Sequence, residues 1–500
     1  LLFYGGTDPR LKVDDPGAGM LRADFGKVCL MLNALLVLGY AAVQICALVF
    51  AFRAIQITRT SQGSAAWVVF LVALPLVAVP AYLFLGSWRI GGYVVARREV
   101  KDVAHAIRSH AKLNRPNESA LDDSIHAFEA IAGLPVAAGN HVSLLIDGPA
   151  TFEAIFAALD RAQDYVLVQF YIVSDDELGR AFRDRLIACA KRGVRVRFLF
   201  DRVGSHKLPK TYLAALEEAG VKTINVHAQT GPHSRFQINF RNHRKTVVVD
   251  GTCGFTGGLN VGDEYMSRDT YFGHWRDTHC QLEGPMVSQL QLVFAEDWFW
   301  ATGEDLRDMV NWTAPQMPQN TNGVIVATGP ADPHEYGALF FCAAIHAARK
   351  RLWIATPYMV PENDVLAALK LAALRGVEVR LLVPDKVDHW LPWLAAMAYF
   401  DELRAVGVEI WRYNKGFMHQ KVVLIDDQIA AVGTANLDNR SFRLNFESMA
   451  VLFDRAFAGE VTQMLEADFK DAFLLEQSLG ARPLWIRICA PIARLFSPLL

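Results

Sequence analysis

The sequence predicts an α/β protein in which two repeated α/β/α domains face each other behind a two-helix transmembrane hairpin. Three observations predict it. Two long uncharged apolar runs lie near the N-terminus. Strand-like and helix-like segments alternate from about Val142 onward. The later part of that alternation repeats the earlier part. A chain of 500 residues has room for two or three such units and a large core.

The apolar runs come first. Val28 to Phe52 carries no charge. At about 1.5 Å per residue it is long enough to cross a hydrocarbon core of about 30 Å, and it is longer than the core of a signal peptide. Ala65 to Trp88 is a second such run, with Pro75 and Pro80 inside it. Membrane helices tolerate such prolines. Trp67, Tyr82 and Trp88 sit near its ends, as interfacial aromatics do. The connector carries Arg53 and Arg59. Arg22 and Lys27 precede the first run, and Arg89, Arg97, Arg98 and Lys101 follow the second. The positive-inside rule then places both ends in the cytoplasm. Residues 1–27 form a polar flank, with Met20 a candidate start, and residues 89–141 read as a polar juxtamembrane linker.

The alternation follows. The stretches "HVSLLIDG", "TFEAIFAALDRAQ" and "YVLVQFYIV" read as strand, helix and strand. A first domain over 142–315 and a second over 320–480 account for the internal matches. "YVLVQFYIV" parallels "LWIATPYMV", and "AKRGVRVRFLFD" parallels "ALRGVEVRLLVP". The most telling match is "RNHRKTVVVD". His243 and Lys245 stand at i and i+2, on one face of an extended segment. Thr246 to Val249 form a β-branched strand, and Asp250-Gly251 is a turn. "MHQKVVLIDD" places His419, Lys421 and Asp426 at the same offsets. Asn260 follows His243 by 17 residues, and Asn436 follows His419 by the same 17.

Composition narrows the chemistry. The net charge of −2 provides no global basic field of the kind nucleic-acid binders use. Seven scattered cysteines without a CxxC pair point to neither a disulfide framework nor a zinc site. The repeated set suits a phosphodiester, which needs a nucleophile, an acid for the leaving alcohol, and positive groups around the phosphoryl oxygens. Two imidazoles, two lysines and two asparagine amides supply these. Each imidazole also needs a carboxylate on its other nitrogen. Asp277 in "WRDTH" follows the first motif and Glu447 in "NFES" follows the second. Asp250 and Asp426 read as holding turns and pairing with basic neighbours. His274 and His279 flank "WRD" and read as satisfied structural histidines, since no metal-ligand spacing surrounds them.

Paired HxKxxxxD motifs, each followed by a G-x-x-N or G-T-x-N turn, resemble the phospholipase D superfamily. "DRVGS", "EDWFW", "TPYMVP" and "GTANLDNRSFRLNFE" extend the likeness toward its bacterial cardiolipin synthases, over roughly Val28 to Leu500. The resemblance implies transfer of a phosphatidyl group between two phosphatidylglycerol molecules in the bacterial inner membrane, through a phosphohistidine. It implies no metal, no nucleotide cofactor and no nucleic-acid partner. The implied catalytic residues are His243, Lys245, Asp250, His419, Lys421 and Asp426, with Asn260, Asn436 and Thr434 on the phosphate. The sequence departs from the pattern at Gly258, where a hydroxyl residue is usual. Finally, "HWLPWLAAMAYF" and the tail from 481 to 500 read as interfacial segments, with core packing between the halves as the alternative.

Overall fold

The computed structural model describes residues 16–57, 61–86, 124–226 and 240–500. The chain divides into two compact units at Trp88. Residues 1–15, Arg59, Trp88 and the linker charges Arg89, Arg97, Arg98 and Lys101 lie outside the described residues.

The first unit is dominated by the helix Pro16–Ile57. Its stretch Leu30–Gln56 is, among the described residues, the one helix long and apolar enough to cross a membrane. The second apolar run differs from the expected single helix over Ala65–Trp88. It forms two short helices, Ser61–Ala73 and Pro75–Leu85, with Leu74 between them at φ −135° and ψ 58°. Pro75 is the cause. It has no N–H to give the preceding turn, and its ring drives the residue before it out of the helical region. With 13 and 11 residues, neither piece alone has the length of a spanning helix, so the second apolar run is a helix broken at Leu74 and not one continuous helix. Both pieces pack on the long helix, where Ala47, Ala51 and Ala54 admit Leu71, Ala78 and Tyr82. Small residues allow such close approach between helices.

The second unit is built on one 16-stranded sheet, fifteen strands along one path and the short strand Arg241–Asn242 paired off it. Outward from its middle, one half runs Ala137–Ile146, Thr278–Glu283, Cys253–Gly257, Thr246–Val249, Tyr165–Phe170, Arg195–Phe200 and Lys222–Asn225. The other runs Thr321–Thr328, Asn445–Phe453, Ile429–Gly433, Val422–Ile425, Arg351–Ala355, Glu378–Pro384 and Glu409–Tyr413, with Ala472–Leu474 added at its edge. The order of connections is the same in both directions, so the repeat in the sequence is a repeat in topology. The halves meet edge to edge. Ala137 pairs with Gly323 and Asn140 with Thr321, antiparallel. The strand Ala137–Ile146 then shifts register and continues along its own half, from His141–Glu283 to Ile146–Thr278. It begins earlier than the expected 142 because this junction needs the extra residues.

Helices cover both faces. Asp147–Arg161, Glu177–Lys191 and Lys210–Glu218 close one core of the first half, around Val166, Val168, Val196 and Val247. Met286–Thr302 and Arg455–Lys470 close the opposite face, and that core runs continuously across the junction through Leu167, Val248, Ile325 and Leu424. Each fully buried Val or Leu contributes about 1.5–3 kcal/mol relative to exposure. The continuous core therefore locks the two halves in one register.

Candidate active site

Each motif histidine is delivered by a short strand that pairs with the opposite half. Arg241–Asn242 runs parallel to Asn445–Phe446, and the His243 N–H donates to the Phe446 carbonyl at 3.0 Å. Gly416–Met418 runs parallel to His274–Arg276, and the His419 N–H donates to the Arg276 carbonyl at 2.8 Å. The carboxylates consequently cross. His243 Nδ1 bonds Glu447 at 2.9 and 3.1 Å, and His419 Nδ1 bonds Asp277 at 2.9 Å. Asp277 and Glu447 thus orient the imidazoles, but each serves the motif of the other half.

The carboxylates fix the tautomers. Against the upward push of its burial, the hydrogen bond from His419 holds Asp277 at about 2, with the Lys421 charge and the Thr278 N–H in support. Burial likewise pushes Glu447 up, and the His243 and Lys245 interactions bring it below its usual value. Glu447 also accepts hydrogen bonds from Thr434 at 2.5 Å, Ser441 at 2.8 Å and Asn445 at 3.0 Å. An ionised carboxylate only accepts, so Nδ1 of each ring carries the hydrogen and Nε2 holds the lone pair. Burial is the main reason that His243 lies below its ordinary value and that His419 falls to about 4; in His419 the Lys421 charge adds to it.

The two lysines are buried at the same place. Desolvation brings Lys245 down to about 7 and Lys421 down to about 8. Lys421 Nζ donates to His419 Nε2 at 3.0 Å. Both lysines donate to the carbonyl of their own motif histidine, Lys245 Nζ at 2.6 Å from that of His243, and Lys245 Nζ lies 5.6 Å from the centre of the Tyr171 ring, which stands edge-on to His243. Among the described residues, no hydrogen-bond donor meets His243 Nε2.

Other expected residues sit elsewhere. Asp250 and Asp426 are not brought to the imidazoles. Each lies beyond a strand, about 16 Å from its lysine at the usual rise per residue. Asp250 accepts the N–H groups of Gln163, Asp164 and Tyr165, and Asp426 those of Arg349, Lys350 and Arg351. Both adopt positive φ, as the turn reading implies, but they cap backbone instead of pairing with basic side chains. Thr434 gives its hydroxyl to Glu447, which removes it from the expected phosphate contact. Asn260 accepts the Ile172 N–H through its oxygen and donates one amide hydrogen to the Tyr265 hydroxyl, at 3.1 Å each. Asn436 keeps a buried side-chain oxygen without a hydrogen-bond partner. His274 is satisfied by Asp147 at 2.9 Å and Tyr413 at 3.0 Å. His279 is buried with neither ring nitrogen bonded, contrary to the expectation of a satisfied ring, and burial pushes it down to about 3.

Sequence reasoning missed the layer beneath the motifs. Arg244, fully buried, pairs with Asp297 at 2.6 Å and donates to the Glu447 carbonyl at 3.1 Å. In the other half Gln420 and Arg276 converge on Asp468, at 2.7 and 2.6 Å. The signal for this layer was the residue between each His and Lys, which alternation sends to the opposite face.

Comparison with known proteins agrees with this geometry. The family described as cardiolipin synthase, PLD-like domain, matches residues 155–298 and 341–470. A protein of Pseudomonas entomophila (strain L48) named cardiolipin synthase A is 45% identical over 465 residues, covering 91% of this chain and 96% of that protein. Its namesake in Pseudomonas aeruginosa (strain LESB58) is 45% identical over 470 residues, covering 92% of this chain and 95% of that protein. The crystal structure of phosphatidylserine synthase from Haemophilus influenzae Rd KW20 shares the fold, with a TM-score of 0.58 at 14% identity, over 76% of this chain and 100% of that one. With the two motifs interlocked across the sheet junction and this similarity along nearly the whole chain, the protein belongs to the cardiolipin synthase family with phospholipase D-like domains.

Proposed function

We propose that the chain transfers a phosphatidyl group from one phosphatidylglycerol to the glycerol hydroxyl of a second, giving cardiolipin and free glycerol through a covalent phosphohistidine. The observation that carries this reading is the crossed pairing. It leaves two Nε2 atoms, from opposite halves, beside two buried ammonium groups. His243 Nε2, with its lone pair unengaged, attacks phosphorus. The N–P bond forms, the P–O bond to glycerol breaks, and His419 gives its Nε2 proton to the leaving oxygen. The second phosphatidylglycerol then gives its hydroxyl proton to His419, its oxygen bonds phosphorus, and the N–P bond breaks. The exchange replaces one phosphodiester with another, so no nucleotide is consumed.

His419 must carry a proton for the first step, yet burial and the Lys421 charge hold it near 4. An arriving phosphate supplies the missing charge. It draws the Lys421 ammonium away from Nε2 and offsets the cationic surroundings, which raises the imidazole. Lys245 and Lys421 then provide the positive field at the phosphoryl oxygens. Asp277 and Glu447 hold the rings, while Asp250, Asp426, Asn260 and Thr434 hold the frame. On this reading residues 142–315 and 320–480 are the two catalytic repeats. Residues 28–88 anchor them, by two passes, to a bacterial inner membrane with the repeats on the cytoplasmic side. Purified protein given labelled phosphatidylglycerol alone tests the reaction. Cardiolipin and glycerol in equal amounts support it, and phosphatidate as the main product would make the enzyme a hydrolase.

A further inference from the structure

The second half carries a surface the first half lacks. The helix Leu484–Arg494 and the turn Ser497–Leu499 lie on the helix Trp390–Arg404. Ile486, Ala490 and Ala493 are buried in this contact, with Tyr399 Oη 2.8 Å from Ser497 Oγ and Arg494 bonded to Glu402 at 2.9 Å. A different face of the same helix is also apolar. Leu484, Ile488 and Ile492 recur at i, i+4 and i+8 and are 66%, 54% and 52% exposed. Trp485, Leu495 and Phe496 stand beside them in the open. Trp390 is 59% exposed and meets Trp485 at 5.9 Å between ring centres, which joins the two helices into one face. The corresponding helix of the first half, Lys210–Glu218, exposes Lys210, Thr211, Glu217 and Glu218 instead. A contiguous exposed apolar patch of this kind marks a binding face.

The patch is tied to the site at both ends. Trp390 follows Asp388, which accepts the hydroxyl of Tyr358, and that tyrosine holds the place in its half that Tyr171 holds beside His243. The carbonyls of Ser497 and Leu500 accept from Asn439 Nδ2 at 2.9 Å and the Arg440 N–H at 2.7 Å, in the helix just after Asn436. Arg487 is exposed at its edge, without a carboxylate partner among the described residues.

We propose that this face docks on an anionic bilayer, with Leu484, Trp485, Ile488 and Trp390 among the acyl chains and Arg487 at the phosphates. Lipid then enters the junction from the side of the second half. The inference rests on the phosphatidyl-transfer reading, because such a substrate keeps its tails in the bilayer and requires a site mouth at the headgroup plane. The charge of Arg487 selects lipid over a neutral apolar partner.

The test uses the full chain in nanodiscs of phosphatidylglycerol and phosphatidylcholine, with Leu484→Asp/Ile488→Asp against wild type. Both positions are exposed, so folding is spared. Conversion of the bilayer phosphatidylglycerol should fall at least about tenfold, while dihexanoyl phosphatidylglycerol dissolved below its micelle concentration is converted within about twofold of wild type. Equal loss on both substrates, or loss on neither, overturns the proposal. A second measurement does not depend on turnover. Brominated acyl chains quench tryptophans that touch them, and the quenched share should shrink in Trp485→Phe and in Trp390→Phe. No change in either variant overturns the proposal, as does a dimer that the double substitution dissociates without loss of bilayer activity. If wild type converts neither lipid, the transfer reading fails and the quenching still decides the face.

Discussion

The two halves share a strand order but not a chemistry. His243 leans on a glutamate that gathers three further side-chain donors, and its Nε2 meets no donor among the described residues. His419 leans on an aspartate, and its Nε2 already accepts from a lysine. The difference extends to the turn after each strand. At Thr434 a hydroxyl braces the longer Glu447. At the matching Gly258 any Cβ would collide with the carboxylate of the shorter Asp277. The frame is common to both halves, and in each the length of the carboxylate matches the side chain facing it. Equivalent positions can thus diverge as pairs while the geometry at the imidazole is preserved.

The comparison can be broken at several points. His243→Ala and His419→Ala should each lower synthesis by about 10⁴-fold or more at matched expression, because nucleophile and acid act as a unit. Near-normal synthesis by either variant would end the two-histidine account. A trapped phosphatidyl adduct, mapped by mass spectrometry without acid exposure, should sit on His243, and an adduct on His419 would reverse the roles. Next, Glu447→Gln and Asp277→Asn should each cost about a thousandfold, as loss of an imidazole's orienting carboxylate does. The adduct formed on His243 should fail with Glu447→Gln, the carboxylate of the other half. Adduct formation dependent on Asp277 alone would contradict the crossing.

Gly258→Ala should cost about a hundredfold and Thr434→Ala about tenfold, since the first displaces a carboxylate and the second only loosens one. The reverse ranking in steady-state turnover would refute the balance of lengths. The smallest effect concerns His279, whose place in the second half is held by Met449 on the matching strand register. Folded His279 stays neutral down to about 3, whereas in an unfolded chain it takes a proton below its ordinary 6.5. The unfolded state therefore binds more protons between those values, and stability falls as pH drops through that window. His279→Met should flatten this fall in denaturant midpoints measured from pH 6.5 to 4.5, and an unchanged slope would show that the ring is protonated in the fold.

Repeated offsets in the sequence are enough to pair the two motifs, and the need of each imidazole for a carboxylate singles out Asp277 and Glu447, 34 and 28 residues after their motif histidines. They did not reveal the crossing, because spacing along a chain says how far a residue is from its motif and not which half it faces. That depends on the short strands Arg241–Asn242 and Gly416–Met418, too brief to read from periodicity. The resemblance places Thr434 on phosphate, but a hydroxyl near a motif suits an anion or a carboxylate equally, and the position of Glu447 decides. Asp250 and Asp426 were legible as turn residues from the Asp-Gly and Asp-Asp sequences, though their backbone partners 75 to 87 residues away were not. The break in the second apolar run is not legible in hydropathy, which is blind to the dihedral cost of Pro75 on Leu74.

The crossing also sets a clock. His243 and its carboxylate are 204 residues apart, and His419 and its carboxylate 142. Contacts so distant in sequence form late in folding. During synthesis the first imidazole leaves the ribosome long before Glu447 exists to orient it, so a nascent chain holds a complete first motif and, on the proposed mechanism, no oriented nucleophile. Completion of the second half then supplies the carboxylate that orients the first imidazole. Supplying the protein as two separate pieces cut between residues 315 and 320 measures this directly. Neither piece alone should form the lipid adduct, and activity should return only as the pieces reassociate.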